Sequence, residues 1–87
     1  MKILILGAGK MGSFFTDLLS FDHEVAVYDI DPRRLRFTYN CQRFTSLDEV
    51  DSFRPDLVIN AVSLKSTLDV FRRVIPHLPS EHCILSD

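Results

Sequence analysis

The sequence has little of what several classes of protein require. Its 87 residues include only two cysteines, Cys41 and Cys83, which is too few for a disulfide framework or a cysteine-rich zinc site, so we expect free thiols. Basic residues do not outnumber acidic ones, and a net charge of −2 disfavours binding to nucleic-acid phosphates. No apolar run approaches the roughly 18–20 residues of a membrane span, and the N-terminus lacks the regions of a signal peptide. We therefore expect one cytoplasmic domain without a metal site and without a nucleic-acid or membrane partner.

Glycine is also scarce, and its placement is informative. All three glycines fall in one segment, so none is left to serve as a general turn residue elsewhere. The segment matches the pattern G-x-G-x-x-G and reads Gly7-Ala8-Gly9-Lys10-Met11-Gly12. Alone the pattern is a weak signal, but here it lies between an apolar strand and an amphipathic helix, which is the context that a dinucleotide-binding loop requires.

Predicted strands and helices alternate along the sequence, which is typical of a parallel α/β sheet. Continuous apolar runs predict strands that are buried on both faces. Apolar residues at helical spacing predict the first helix, whose expected buried stripe is Met11, Phe14, Phe15, Leu18 and Leu19. The predicted strands are residues 2–6, 24–28, 56–62 and 82–86, the predicted helices are residues 11–20, 32–37 or 32–39, 47–53 and 66–75, and residues 40–46 are expected to be irregular.

Local signals mark the ends of several predicted helices. Asp31 followed by Pro32 predicts an N-cap and a proline at the first helical position. Ser46 and Glu49 have the spacing of a capping box. Pro76 is expected to end the last helix near residue 75. The expected apolar stripe of that helix consists of Leu68, Phe71, Ile75 and Leu78.

These elements predict an α/β fold with a Rossmann-type parallel sheet of about four strands, the first half of a doubly wound dinucleotide-binding fold. We expect the strands to lie in the spatial order third, second, first, fourth, with right-handed crossovers. The fourth strand, which contains Cys83-Ile84-Leu85, is then an apolar strand at the edge of the sheet, so we expect the chain to self-associate.

Each glycine of the motif has an expected physical role. Gly7 permits the tight turn out of the strand, and Gly9 lets the backbone approach a pyrophosphate. Gly12 allows the helix to pack close to the strand. The free N–H groups at the helix start, with the positive end of the helix dipole, then hold the diphosphate, and Lys10 is either a further diphosphate contact or a solvated side chain.

Asp29 is the predicted ribose-binding acid. It ends the second strand and follows Gly7 by 22 positions, close to the roughly 20 expected of that acid. A carboxylate there accepts hydrogen bonds from both ribose hydroxyls and repels a 2′-phosphate, which favours NAD over NADP. Arg33 and Arg34 leave NADP open, because a basic residue just beyond the strand can accommodate that phosphate. Ile30, directly after Asp29, is included in the predicted cofactor site.

The carboxyl end of the third predicted strand supplies the rest of the predicted cofactor site, namely Ala61, Val62 and Ser63. Ligands of open α/β sheets bind at this edge, so Ser63 is positioned to face the nicotinamide side of a cofactor. Two alternatives stay open: Ser63 belongs to an ordinary strand-to-helix turn, and Asn60 only caps a backbone group. No residue is predicted to be catalytic, since no histidine pairs with a nucleophile or carboxylate in the sequence pattern.

Two parts of the sequence resemble a known family. Residues 2–13 resemble the opening of a dehydrogenase group that includes prephenate dehydrogenase, pyrroline-5-carboxylate reductase and ketopantoate reductase. The second half resembles prephenate/arogenate dehydrogenase more specifically, in residues 56–63, 67–71, 75–78 and 84–87. The resemblance covers essentially the whole chain, but only the NAD(P)-binding domain of that family.

The resemblance implies oxidative decarboxylation of prephenate or arogenate, in the biosynthesis of tyrosine, with transfer of a hydride to NAD(P)+. Asp87 matches the aspartate that opens a D-x-x-S-V-K loop in the family, and the catalytic serine and histidine follow it. We therefore expect residues 1–87 to be a truncated cofactor domain that lacks the catalytic and dimerisation domain, is inactive alone, and belongs to a homo-oligomer that binds a small-molecule substrate. The alternatives are a stand-alone NAD-binding regulatory module and the cofactor domain of a ketopantoate or pyrroline-5-carboxylate reductase.

Overall fold

A computed structural model gives the fold and describes residues 1–36, 41–62, 69–70, 72–78 and 83–86. Within these residues, five strands form one sheet: β1 (Lys2–Leu6), β2 (Glu24–Tyr28), β3 (Gln42–Phe44), β4 (Leu57–Asn60) and β5 (Cys83–Ser86). The helices between them are α1 (Lys10–Leu19), α2 (Pro32–Leu35) and α3 (Leu47–Phe53). Residues 69–70 and 72–74 are also helical, and a 3-10 turn follows at Ile75–His77.

The sheet is parallel throughout, in the spatial order β3-β2-β1-β4-β5. This order is that of the first five strands of a doubly wound dinucleotide-binding sheet, so the predicted Rossmann-type α/β class is confirmed. The predicted order of strands is wrong. The strand at 57–60 pairs with β1 rather than with β2, and the strand at 83–86 pairs with β4 rather than with β1.

The error in the order comes from β3, which lies in the stretch expected to be irregular. This strand has three residues, of which only Phe44 is buried, and it occupies the place beside β2. Because this short edge strand buries only one side chain, its sequence shows almost no alternation of apolar and polar residues from which a strand could be predicted. The two other differences in the strands are small. The strand β4 spans Leu57–Asn60 where residues 56–62 were predicted, and β5 begins at Cys83 where residue 82 was predicted.

Apolar side chains cover both faces of the sheet, as the continuous apolar runs predicted. Along β1, Leu4 and Leu6 belong to the cluster on one face, where Val50 and Phe53 of α3 pack. Ile3 and Ile5 belong to the cluster on the other face, together with residues of β2, β4 and α2. Phe15 and Leu19 of α1 pack against this second cluster, which places α1 and α2 on the face opposite α3.

The buried side of α1 differs from the predicted stripe. Phe14 and Leu18 are 57% and 59% exposed, whereas Gly12 and Thr16 are buried. The Thr16 hydroxyl is satisfied within the helix, because it donates to the carbonyl of Gly12 at 2.7 Å. Small side chains lie where the helix approaches the sheet most closely, so Phe14 and Leu18, each two positions from Thr16, are turned outward. The side chain of Met11 lies outside the described part of the chain.

The predicted helix starts are confirmed where the structure describes them. Asp31 caps α2, with its Oδ1 accepting from the Arg33 N–H at 3.0 Å and Pro32 at the first position. Ser46 and Glu49 form the capping box of α3, which ends at the predicted residue. Among the described residues, no helix has the length and apolar character needed to cross a bilayer.

The last helical segment agrees with the prediction only in part. Its predicted start at residues 66–68 and Phe71 lie outside the described residues. The second helix, predicted to reach residue 37 or 39, is shorter in the structure, because α2 ends at Leu35 with Arg36 as its C-cap. Pro76 lies in the 3-10 turn that follows the helical residues, as expected of a proline that ends a helix. Ile75 is 46% exposed and so is not a core residue, whereas Leu78 packs against the cluster on the α3 face.

Candidate functional site

The glycine motif forms the connection from β1 to α1, at the carboxyl edge of the sheet. The ladders on both sides of β1 extend to this connection: the N–H of Gly7 donates to the carbonyl of Tyr28 in β2 at 2.8 Å, and the N–H of Ala61, after β4, donates to the carbonyl of Leu6 at 2.8 Å. The φ angle of Gly7 is +97°, in a region that side chains disfavour. The motif is therefore fixed between the ends of β2 and β4.

Gly12 lies against the end of β1 and leaves no room for a side chain. A Cβ there would overlap the carbonyl oxygen of Gly7 and lie 2.9 Å from its carbonyl carbon. A Cβ on Gly7 would itself lie 3.0 Å from the carbonyl oxygen of Ala61 and 3.2 Å from a methyl group of Val62. These two glycines thus let the loop, α1 and the end of β4 meet at backbone distance.

Gly9 differs from the other two glycines, because a Cβ built on it would meet no atom within 4 Å. Its backbone is extended, and it is the N-cap of α1 without supplying a side-chain acceptor. The first turn of α1 carries no acidic side chain either. The N–H groups of this turn and the positive end of the helix dipole are therefore available to an anion placed in the open space over Gly9.

Asp29 is buried, and its carboxylate joins the glycine loop to the residues after β2. Oδ2 accepts from the Ala8 N–H at 3.0 Å, and Oδ1 accepts from the Asp31 N–H at 2.9 Å. An ionised carboxylate has about four acceptor sites, so two remain after these two bonds. The same group can therefore support the loop and accept hydrogen bonds from a vicinal diol.

Asp31 forms a second local arrangement next to this carboxylate. Besides capping α2, it accepts from the guanidinium of Arg33 at both oxygens, from Nε at 3.1 Å and from a terminal nitrogen at 3.2 Å. The hydrogen bond from this guanidinium is the main reason why the pKa of Asp31 is lowered from its ordinary value. The same bond raises the pKa of Arg33, so both groups are charged at neutral pH.

An open groove of about 800 Å³ runs between the glycine loop and the start of α2. Ala8, Gly9 and Lys10 line it on the loop side, and Asp31, Arg33 and Arg34 line it on the α2 side. Further lining residues are Ser13, Phe14, Asp17 and Arg36. The groove therefore joins the open space over Gly9 to the region just beyond β2, where Asp29 follows the strand.

The remaining predicted site residues lie close to this region or outside the described chain. Ile30 follows Asp29 and is 62% exposed. Ala61 and Val62 are half-buried beside Gly7 at the end of β4. Asn60 is buried, and its Oδ1 accepts from the Val62 N–H at 3.1 Å, which agrees with a backbone-capping role. Ser63 lies outside the described residues.

Away from the groove, His77 has a structural partner. His77 lies 2.8 Å from the Asp51 carboxylate and links the 3-10 turn to α3. Within the same residues, no three side chains of histidine, cysteine, aspartate or glutamate are grouped as a metal site would require. Reasoning from sequence recognised Asp31 only as a helix cap and missed its pairing with Arg33, although an aspartate two positions before an arginine was the available signal.

The comparisons with known proteins agree with this geometry at the level of the fold. The sequence matches no protein-family model and no curated protein. Among solved structures, prephenate dehydrogenase from A. aeolicus, solved with hydroxyphenyl propionate and NAD+, matches 99% of this chain at 24% identity and a TM-score of 0.83. Arogenate dehydrogenase from Synechocystis matches 99% at 17% identity and a TM-score of 0.77.

A 3-hydroxyacyl-CoA dehydrogenase from Archaeoglobus fulgidus is similar over 100% of this chain, at 24% identity and a TM-score of 0.77. The chain covers 32%, 32% and 34% of these three proteins, so it spans about a third of their length. At such identities the similarity establishes the Rossmann-type fold that the sheet order already indicated.

Proposed function

We propose that this chain is the dinucleotide-binding domain of an NAD(P)-dependent dehydrogenase, with NAD as the preferred cofactor. The observation that carries the proposal is the open space over Gly9. This residue has no side chain, and it begins α1 without a side-chain hydrogen bond to the first turn of the helix. A diphosphate placed there accepts hydrogen bonds from the first turn of α1. The groove then continues from that space toward Asp29 and the start of α2.

The described residues fit two polar parts of such a cofactor, namely its diphosphate and the ribose of its adenosine. The diphosphate lies over Gly9, and Lys10 at the groove wall adds a positive charge beside it. The ribose diol lies at Asp29, whose two remaining acceptor sites match its two hydroxyl donors. Ile30 offers an exposed apolar side chain next to Asp29 for the adenine ring.

The nicotinamide half is assigned to the end of β4, with Ala61, Val62 and Ser63 as its contacts. In a doubly wound sheet the ligand crosses the carboxyl edge from the first half toward the strands beyond the switch point. When bound, such a cofactor supplies the hydride acceptor of a dehydrogenase. Residues 1–87 hold no assigned acid or base for the substrate, so we expect binding without turnover from this chain.

For the whole protein, we propose oxidative decarboxylation of prephenate or arogenate in the cytoplasm, by a homo-oligomer. The residue patterns in the second half of the sequence support this branch. The similarity of the fold to a prephenate dehydrogenase solved with NAD+ supports a dehydrogenase domain, and other dehydrogenases share it. A reductase of the ketopantoate or pyrroline-5-carboxylate type shares the opening glycine segment and is the alternative activity.

The binding proposal is tested by calorimetry with NAD on the unmodified chain, Gly9→Ala and Gly9→Val. We expect weak but measurable binding to the unmodified chain, reduced binding to Gly9→Ala and none to Gly9→Val, because the side chain fills the space required by the diphosphate. Circular dichroism of the three proteins shows whether the fold is retained. Equal affinity in all three folded proteins would contradict a diphosphate at Gly9.

The substrate proposal is tested separately, by the absorbance of NADH at 340 nm with prephenate and NAD. We expect no NADH formation with residues 1–87 and prephenate-dependent formation with a longer gene product that contains the D-x-x-S-V-K loop. Turnover by the short chain would mean that catalytic residues lie within it. Activity of the longer product on a keto acid or an imine, and not on prephenate, would assign the other branch.

A further inference from the structure

The groove contains a cluster of cations on the side where the ribose is expected. Three of its four basic lining residues, Arg33, Arg34 and Arg36, follow β2 within seven positions of Asp29. Its acidic lining residues are Asp17, on α1, and Asp31, at the cap of α2. An unphosphorylated ribose needs no cation, whereas a 2′-phosphate is bound by arginine side chains beyond the second strand. Such a cluster favours NADP unless the charges of its arginines are already paired.

The charge of Arg33 is paired with a carboxylate in the described part of the chain. Its guanidinium donates two hydrogen bonds to the two oxygens of Asp31, at 3.1 and 3.2 Å, and its own N–H donates to the same carboxylate at 3.0 Å. Its side chain is nevertheless 83% exposed, so burial does not hold it in place. Asp31 alone among the described residues fixes the direction of this guanidinium.

Arg34 provides a comparison within the same groove. It lines the groove and is exposed, and no hydrogen bond or ion pair joins its side chain to a described residue. Arg34 is thus available to an anion, whereas Arg33 is already paired. Releasing Arg33 would place two adjacent guanidinium groups beside the ribose site, a combination suited to bidentate binding of a phosphate.

We propose that Asp31 is a specificity-determining residue of the dinucleotide site, because by holding the guanidinium of Arg33 it keeps that group from binding a phosphate on the ribose 2′-oxygen. The inference rests on the proposed binding function and adds a second determinant to Asp29. Asp29 disfavours the phosphate directly by its charge, whereas Asp31 does so by occupying the cation that would otherwise bind it.

The substitution Asp31→Asn separates this role from the structural role of the same residue. Asparagine caps helices about as well as aspartate, so the bond to the Arg33 N–H and the start of α2 are retained. What is lost is the negative charge that pairs with the guanidinium. Asp17→Asn is the matched control, since it removes the same charge from the same groove at a residue on α1.

The experiment measures the dissociation constants of NAD and NADP by calorimetry for four proteins: the unmodified chain, Asp31→Asn, Asp17→Asn, and Asp31→Asn combined with Arg33→Ala. We expect Asp31→Asn to lower the ratio of the NADP constant to the NAD constant by roughly fivefold, as suits one exposed guanidinium–phosphate pair. Asp17→Asn should change both constants by a similar factor, and Arg33→Ala should abolish the gain made by Asp31→Asn.

The outcomes distinguish the inference from the function on which it rests. If NAD binds the unmodified chain but Asp31→Asn leaves the ratio unchanged, or if the gain survives Arg33→Ala, Asp31 does not act through Arg33 and the inference is overturned. If neither dinucleotide binds any of the four folded proteins, the proposed function itself is overturned, and the inference with it.

Discussion

The backbone of Gly7 occupies the space that a side chain on Gly12 would need. We expect Gly12→Ala to lower the free energy of unfolding by about 3 kcal/mol or more, because the new Cβ overlaps a backbone carbonyl that cannot move without disturbing β1. Urea denaturation followed by circular dichroism measures the effect.

Gly9→Ala is the matched control for this prediction. The same methyl group is added three residues earlier, where it meets no atom within 4 Å, so the loss should be about 1 kcal/mol or less, from the poorer N-cap. Equal destabilisation by the two substitutions would show that the packing of α1 on β1 is not what Gly12 provides.

Asp29 combines a structural and a binding role at one residue. We expect Asp29→Ala to weaken NAD binding by about 1–3 kcal/mol, since hydrogen bonds to a charged group are lost, and to narrow or reverse the preference over NADP. The Ala8 and Asp31 N–H groups also lose their acceptor, so the variant should be less stable.

Calorimetry with both dinucleotides checks this prediction, beside a measurement of stability. Asp22→Ala, at an exposed carboxylate in the turn after α1, controls for the loss of one negative charge. Unchanged NAD affinity in a folded Asp29→Ala protein would remove Asp29 from the ribose site.

At the scale of the element, α3 depends on its capping box. The Ser46 side chain accepts from the Asp48 N–H at 3.2 Å, while the Glu49 carboxylate accepts from the Ser46 N–H at 3.3 Å. We expect Ser46→Ala to lower the free energy of unfolding by about 1 kcal/mol, because α3 carries Val50 and Phe53 into the core and its first turn loses an acceptor.

Ser52→Ala on the same helix controls for the loss of a hydroxyl group. Ser52 is exposed and lies outside the cap, so we expect its substitution to change stability by less than about 0.5 kcal/mol. The two values come from the same denaturation experiment, and similar losses would mean that the cap does not stabilise α3.

At the scale of the whole molecule, two surfaces favour self-association. In the described chain β5 is the end strand of the sheet, paired with β4 along one side. On α1 and the turn after it, Phe14, Leu18 and Phe21 are exposed, and Phe21 is 90% accessible. An open strand edge and a group of exposed apolar side chains both promote contact with another chain.

We therefore expect sedimentation to show a mass that increases with protein concentration. Leu18→Glu combined with Phe21→Ser should weaken the association if the α1 surface forms the contact, and association that persists assigns it to the edge at β5. A single monomeric species for the unmodified chain at all concentrations would contradict the expectation.

Features that depend on neighbours along the chain follow from the order of residues alone. The cap at Asp31, the capping box at Ser46 and the strand at residues 2–6 follow from spacing within a few residues, and the structure has all three. The position of the glycine loop between β1 and α1 is of the same kind, because the change from a strand pattern to a helix pattern occurs at that segment.

Features that depend on residues distant in sequence follow only from the way the elements pack together. The strand β3 exists because the edge of β2 pairs with it, and three residues with one buried side chain give no pattern by which to find it. The outward direction of Phe14 follows from the contact between Gly12 and Gly7. Likewise, the Asp29 carboxylate reaches Ala8, 21 positions earlier, only because parallel strands bring their carboxyl ends to one edge of the sheet.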